Sequence, residues 1–572
     1  MAEVGPGFIV DACQVLQKNW QTRNTKFKAW YEVLLLTDTL AQEGMESVVS
    51  NDPRTGYNLA KHLLTTMTIA DKIESVELPP ENIPAVGYLE KFISERWNDQ
   101  EKRYRSVGRQ SWLGEFVSWL LTTGWYSVFA MVAKGRTQDE AWAEVWSPAE
   151  SFPEFGPDGL VAHAHIYKLS AAAANKKIRD MGWSVSRPPT SDVTMYDHWG
   201  FDDGGNVANA IVMENEFVKK PMIDVAVNKL GILPVFTSPA SGLPDRGSIV
   251  TGATWQEHYG ESIVATNEDL VLNYNKMRTF LQQAARSAAQ PHWLELSSGE
   301  TPIASEALMD RWGSVLHGQP GEDVRALQGT PIPVELTNIL YHYQNESQRG
   351  MFPWAMFGNI QQQMSYLAMA NAASASMQTL TPYKDAIRGM RTDVDNFWTR
   401  MVLENGFHPN NFKKPNNLPE PENTLFDVNC DIEIPGYLVQ RATVSRMLNP
   451  QFKLPRTWVM GKMFPEIRNT VKASADIRAE DALMDPDAIK VDAIIGYRQQ
   501  ANLLRELGDA DSAALYEKLA AKKEAELVTP QQQVGQVATP TPGAEQAEQA
   551  VMREAFPAKE ANAPIEGLGQ TT

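Results

Sequence analysis

At 572 residues and 43% hydrophobic content the chain is long enough for several domains with real cores. Its formal charge of −18 argues against a protein that grips nucleic acid through a broad basic surface, although passage through an acidic or neutral channel stays open. Cys13 and Cys430 lie too far apart in sequence to form a ligand-spaced pair, which argues against a disulfide framework or a cysteine zinc site and fits a reducing compartment. Met1 to Asp11 shows no secretory signal, and no apolar run approaches the ~20 residues of a spanning helix, so the sequence predicts a soluble protein with no membrane partner.

From about 8 to 74 the pattern is helical. Phe27, Trp30, Tyr31, Leu34 and Leu35 share one face, and an Asn51-Asp52-Pro53-Arg54 break precedes a helix expected over 58–73. Pro79-Pro80 ends this unit. Two more helices are expected over 86–97 and 109–123, the second stopped by Thr122-Thr123-Gly124. The texture then changes. Segments 125–132, 141–146, 160–169, 193–199 and 208–214 are rich in Val, Ile, Tyr and Trp and bounded by turns such as Asp202-Asp203-Gly204-Gly205, which predicts strands. Residues 231–236 form one more extended segment, followed by a Pro- and Gly-marked loop over 239–252.

Next, Trp255, Tyr259, Ile263, Leu270, Tyr274, Met277, Leu281 and Ala284 fall at steps of three, four or seven, one stripe on a helix. A helix over 254–287 would be roughly 50 Å long at ~1.5 Å per residue, the size of a rod that spans a domain or an assembly. An insert over 288–333 has strand candidates at 293–296, 314–317 and 324–328, and Pro331-Ile332-Pro333 then starts a helix over 334–350. The loop 352–363 presents Phe352, Trp354, Met356, Phe357, Asn359, Gln361, Gln362 and Gln363; so many apolar groups beside helix breakers need burial, in a core or against other subunits. A third helix carries Met364, Leu367, Ala368, Ala372, Met377 and Leu380 to a kink at Pro382. Residues 405–421 read as loop, 428–435 as strand and 437–526 as mainly helical; from 527 the Gln, Ala, Pro, Thr and Glu composition predicts a disordered tail. The fold class expected is α+β, mostly helical.

Chemistry is sparse. No Gly-rich phosphate loop ends in Gly-Lys-Ser or Gly-Lys-Thr, and the glycines at 202–205 and 318–321 read as hairpin turns. His163 and His165 would share a strand face as two metal ligands could, but no third ligand is evident and a polar strand face is the preferred reading. Asp197 and His198 would point to opposite faces, so they read as structural. There is no Gly-x-Ser-x-Gly elbow or His-Glu-x-x-His helix. No catalytic, cofactor or metal residue is therefore assigned, and the sequence reads as that of a non-enzyme.

The order of these elements resembles the portal proteins of tailed bacteriophages over about 20–525. The residues that carry the resemblance are Trp30-Tyr31, then Asn51-Asp52-Pro53-Arg54 before a helix, then Trp146-Ser147-Pro148 and Phe152-Pro153 before a strand, and Gly231-Ile232-Leu233-Pro234-Val235 before a loop and a long helix. The resemblance implies a wing over 1–253, stem helices over 254–287 and 334–350 flanking a small α/β clip over 288–333, and a tunnel loop, long helix and return to the wing over 351–436. A helical crown over 437–526 and the tail 527–572 complete it. The stem stripe is the candidate packing surface and 352–363 the candidate tunnel loop. One departure stands out. No Lys or Arg occurs from Phe352 to Tyr383, whereas some portals are thought to meet DNA with basic loop residues, so guidance by shape more than by charge is expected.

What the resemblance implies is a head-to-tail connector, a homo-oligomeric ring, commonly a dodecamer in that family, at one vertex of a virion capsid. The ring would be assembled in the host cytoplasm and would conduct double-stranded DNA during packaging and ejection, touching it transiently and without sequence specificity. Its implied partners are a terminase packaging motor, a tail adaptor and the major capsid protein, with no cofactor. Two other readings stay open, a helical adaptor or scaffold without a channel and an enzyme with an unrecognised carboxylate site.

Overall fold

The computed structural model describes residues 5–242 apart from breaks around 39–46, 74–81 and 135–138, and then 260–296, 320–326, 334–350, 377–432 and 455–528, with short breaks of their own. The fold is α+β and mostly helical. It divides into two compact units, 1–470 and 471–572.

The first unit opens with α1 (Pro6–Asn19), α2 (Gln21–Leu34) and α3 (Asp52–Thr66), followed by β1 (Thr68–Ile73). The helix expected over 58–73 therefore starts earlier and stops sooner. Pro53 belongs to its first turn, where a missing N–H costs nothing. The chain after Met67 turns extended to pair antiparallel with β12 (Phe426–Asp431), Ile69 opposite Cys430. No local pattern announces a partner that far along the chain. α4 (Ile83–Ser106) and α5 (Trp112–Thr123) follow. Ser111 caps α5 by accepting from the Gly114 amide, and Gly124, left-handed at φ 63°, ends it. Trp112, Phe116, Val117, Leu120 and Leu121 are all buried, as befits a helix surrounded by other elements.

β2 (Trp125–Lys134) is the middle strand of a three-stranded antiparallel sheet, between β3 (Asp139–Val145) and β9 (Val235–Pro239). A five-stranded meander takes β4 (Ser151–Gly156), β5 (Gly159–Leu169), β6 (Val193–Phe201), β7 (Val207–Met213) and β8 (Glu216–Ile223) in chain order. The two strands that local pattern misses, β4 and β8, are its edges. Pro153 and the Lys219-Lys220-Pro221 run disguise them, and edge strands tolerate those residues. α6 (Ala171–Met181), capped by Ser170 and ended by Gly182, lies between β5 and β6. The extended segment expected from 231 starts as a strand only at Val235, because Gly231 closes the short α7 (Val225–Leu230) in the left-handed conformation.

The arm expected to begin at 254 starts later. α8 spans Glu268–Ala289, 22 residues or roughly 33 Å. Gly260 to Val264 is not helical, because its main chain bonds to other parts of the unit; Thr254, Trp255 and Tyr259 lie outside the described residues. β10 (Trp293–Leu296) and β11 (Asp323–Ala326) pair antiparallel, and α9 (Val334–Gly350) has the expected bounds. The strand candidate at 314–317 and the loop 352–363 lie outside the described residues, as do Met364 to Ala372. α10 (Thr381–Asn405) then crosses the core, burying Ile387, Met390, Val394, Phe397, Trp398 and Met401. Pro382 starts this helix in its first turn, after a short 3₁₀ turn at Gln378–Leu380, so the expected kink is a beginning instead.

Behind α10 lies a polar cluster. Arg391 grips Asp71 with Nε at 3.1 Å and Nη2 at 2.7 Å and covers the Trp97 ring at 4.3 Å, while the Trp97 indole donates to Asp395 at 2.7 Å. Burial, with the Asp71 charge beside it, pushes the Asp395 carboxyl well above the usual carboxylate range.

α11 (Arg456–Met463) and α12 (Thr470–Leu483) precede a helical hairpin, α13 (Pro486–Glu506) and α14 (Ala510–Val528). The helix runs two residues into the segment expected as tail from 527; the remainder lies outside the described residues.

Candidate functional site: the arm and its root

The arm consists of α8, the β10–β11 pair and α9. Its root is built largely from main chain. At the end of α5, the Ala240 amide donates to the Gly124 carbonyl at 2.7 Å and the Glu261 amide donates to the Ala240 carbonyl at 3.1 Å. The Ile263 amide and the Ser262 hydroxyl both donate to the Leu121 carbonyl at 3.0 Å. From α10, the Tyr383 hydroxyl donates to the Glu261 carbonyl at 2.8 Å. The backbones approach so closely that a Cβ at Gly124 would overlap Glu261, and one at Gly260 would overlap the Gly124 carbonyl.

A 3₁₀ turn at Ala265–Asn267 leads from this root into α8 and also closes the base of the arm. Thr266 Oγ1 donates to the Gly350 carbonyl at 2.8 Å and Asn267 Nδ2 to the Ser347 carbonyl at 3.0 Å, so two carbonyls orphaned at the end of α9 find donors at the start of α8. Any side chain at Gly350 would occupy the space of the Asn267 amide.

One side of α8 lies along α2. The Trp30 indole donates to Glu268 Oε2 at 2.9 Å, the Ser50 amide to Asn275 Oδ1 at 2.9 Å and the Val48 amide to Thr279 Oγ1 at 3.2 Å, with Val271 buried between. A cleft of about 140 Å³ remains there, walled by Val33, Leu36, Val49, Val271 and Leu272.

The predicted stripe divides. Ile263 is buried in the core of the first unit, above the point where the helix begins. Leu270, Tyr274, Met277 and Leu281 are half-buried on α8, which packs against α9; α9 in turn half-buries Leu336, Leu340 and Tyr343. Leu272 and Phe280 of α8 and Ile339 and Tyr341 of α9 stay exposed, Tyr341 by 60%. Hydrophobic spacing missed Asn267, Asn275 and Thr279, because polar anchors leave no apolar period. The arm helices are electrically balanced. α8 carries Lys276, Arg278 and Arg286 with Glu268 and Asp269, and α9 carries Arg349 with Glu335 and Glu346, so the two helices together have no net charge.

The histidines of β5 share a face as expected, and that face is interior. His163 and Ser151 have no solvent exposure; His163 Nε2 lies 2.6 Å from Ser151 Oγ, which is 2.7 Å from Ser127 Oγ. His163 Nδ1 has no hydrogen-bond partner. The less costly tautomer places the proton on Nε2, donating to Ser151, which passes its own to Ser127. Burial, helped by His198 and Arg23, lowers the His163 pKa to about 3. His165 stacks on Trp146 at 4.0 Å and is likewise pushed well down by burial. A serine and histidine sealed from reactants form a structural relay. Asp197 accepts from Asn209 at 2.7 Å, its carboxyl raised by burial. Among the described residues no group of three or more His, Cys, Asp or Glu is placed to hold a metal, and no helix is long and apolar enough to cross a membrane.

No protein-family model and no curated protein matches the chain. Solved structures that contain similar chains include three of particles. One is the neck of a native GTA particle computed with C12 symmetry, at 11% identity over 72% of this chain and 89% of that one, with a TM-score of 0.37. The second is the virion of a native gene transfer agent particle, at 11% over 72% and 89%, with a TM-score of 0.38. The third is the neck of an empty GTA particle computed with C6 symmetry, at 11% over 72% and 90%, with a TM-score of 0.37.

Proposed function

We propose that this protein is a portal-like connector subunit, which assembles into a ring around a channel for double-stranded DNA at one vertex of a phage-like virion. The observation that carries the reading is the arm. Two antiparallel helices, fastened at their base by Thr266 and Asn267 and rooted on Gly124 and Gly260, carry a small β pair at the far end and leave Leu272, Phe280, Ile339 and Tyr341 uncovered. A projecting apolar-flanked rod is costly in a lone subunit and useful between identical neighbours.

In this reading the arm is stem and clip, the unit it springs from is the wing, and the helices after 437 are the crown. The uncharged stretch 352–363 would face or seal the channel by shape. Charge-balanced arm helices suit a conduit, because few strong phosphate contacts need to break as DNA slides. The packaging motor, tail adaptor and major capsid protein would be separate chains docking on the ring.

The test is the purified full chain by negative-stain microscopy and sedimentation velocity. The expected particle is a closed ring, near twelve copies of the 63.8 kDa chain, with an opening wide enough for duplex DNA, roughly 20 Å. A ring or rod with a narrower opening indicates a scaffold or adaptor, and a monomer with hydrolytic activity overturns the proposal.

A further inference from the structure

The α13–α14 hairpin has two outer faces that differ from each other. Its interior is narrow. Ala501 of α13 and Ala513 and Ala520 of α14 are buried, Tyr497 lies on Tyr516 at 6.1 Å, and Arg498 pairs with Glu524 at 2.6 Å. Arg505 pairs with Glu517. Those ion pairs spend the arginines of α13 within the hairpin.

At 3.6 residues per turn, the side of α13 opposite this interior carries Ile495, Leu503 and the carboxylates Asp492 and Glu506. Ile495 and Leu503 are 48% and 51% exposed. The side of α14 away from α13 carries the small residues Ala514, Ala521 and Ala525, with Leu515, Lys518 and Lys522 among them, all exposed. One face thus offers branched knobs with negative charge, and the other a shallow alanine-lined surface with positive charge. Asp511 sits at the start of α14, where the helix terminus favours it.

We infer that these faces are the two halves of one joint between copies of this chain, the α13 face of one subunit docking on the α14 face of the next. Because the faces are unlike, the contact is head-to-tail, and repeating it generates a ring or an open helix. This rests on the ring reading for closure alone. The three-residue link between Glu506 and Ala510 and the Tyr497–Tyr516 contact set the antiparallel register and put Asp492 level with Glu524, so neighbours standing at equal height bring Asp492 within a helical turn of Lys522. The same register brings Leu503 toward Leu515.

The experiment uses the full chain. Asp492→Lys and Lys522→Glu each place like charges at the joint, and each raises the concentration needed for half-assembly about tenfold; the double variant restores it. Leu503→Cys with Leu515→Cys adds a direct reading. Cys13 and Cys430 are buried, so a short thiol cross-linker yields a ladder of covalent multimers in the wild-type background of charges. Single reversals that leave assembly unchanged, or a double variant no better than the singles, overturn the joint while leaving the ring intact. A cross-linked ladder from open filaments without closed rings supports the joint and overturns the ring reading. A monomer that yields no ladder overturns both.

Discussion

Replacing His163 by Gln should make the protein less sensitive to acid. The folded pKa of His163 is depressed, to about 3, chiefly by burial, against about 6.5 for an exposed imidazole. A depressed pKa contributes stability that is present above pH 6.5 and lost as pH falls toward 3, because the unfolded chain takes up a proton that the folded chain refuses. At ~1.36 kcal/mol per unit, that loss reaches about 2 kcal/mol at pH 5. Glutamine can still donate to Ser151 and cannot titrate. The variant therefore starts about 1–2 kcal/mol less stable at pH 7.5, from imperfect packing, and the gap closes by pH 5. Urea unfolding followed by tryptophan fluorescence at a series of pH values reads the difference. Raised carboxyls such as Asp197 and Asp395 have the opposite sign, but they are common to both proteins and cancel. Parallel curves for the two proteins between pH 7.5 and 5, or an NMR titration of His163 near 6.5, would refute the reasoning.

Asp395→Asn should act the other way. A raised carboxyl contributes stability that is full below about pH 4 and lost as pH rises through its folded value, so the variant, which keeps an acceptor for Trp97, gains on the wild type with rising pH in the same urea series. Gly260→Val should cost several kcal/mol, since the Gly124 backbone has nowhere to go; a melting temperature within about 1 °C of wild type would show that the root is loose. Met277→Pro breaks α8 at its middle, a loss of ~3 kcal/mol or more in that helix. The first unit should keep its fluorescence while rings fail to form, and rings in normal yield would remove α8 from the assembly.

Local chemistry made much of this architecture readable. The α9 bounds followed from Pro333 before the helix and Gly350 at its end, and β2, β5, β6 and β7 from alternating Val, Ile, Tyr and Trp between turns. What stayed hidden was set by distant partners. β1 is a strand because β12 completes it, and β4 and β8 are edges whose prolines look like breaks. The start of α8 was misplaced because Ile263 fits the helical period while its amide is committed to Leu121. The site was legible as an arm with an insert, but its fastenings, Asn267, Asn275 and Thr279, are polar and invisible to hydrophobic spacing.

The root has a consequence for how such a protein can change. Most of the bonds that set the arm's direction belong to main-chain groups of Leu121, Gly124, Ala240, Glu261 and Ile263, which every amino acid except proline supplies equally. Surface substitutions along α8 and α9 can therefore accumulate, retuning which neighbour the arm meets, without re-aiming the arm. Selection would be felt at few positions, above all Gly124 and Gly260, whose missing side chains let the backbones touch, and Gly350, which leaves room for the Asn267 amide. The joint behaves as a fixed bracket on which interchangeable fittings are mounted.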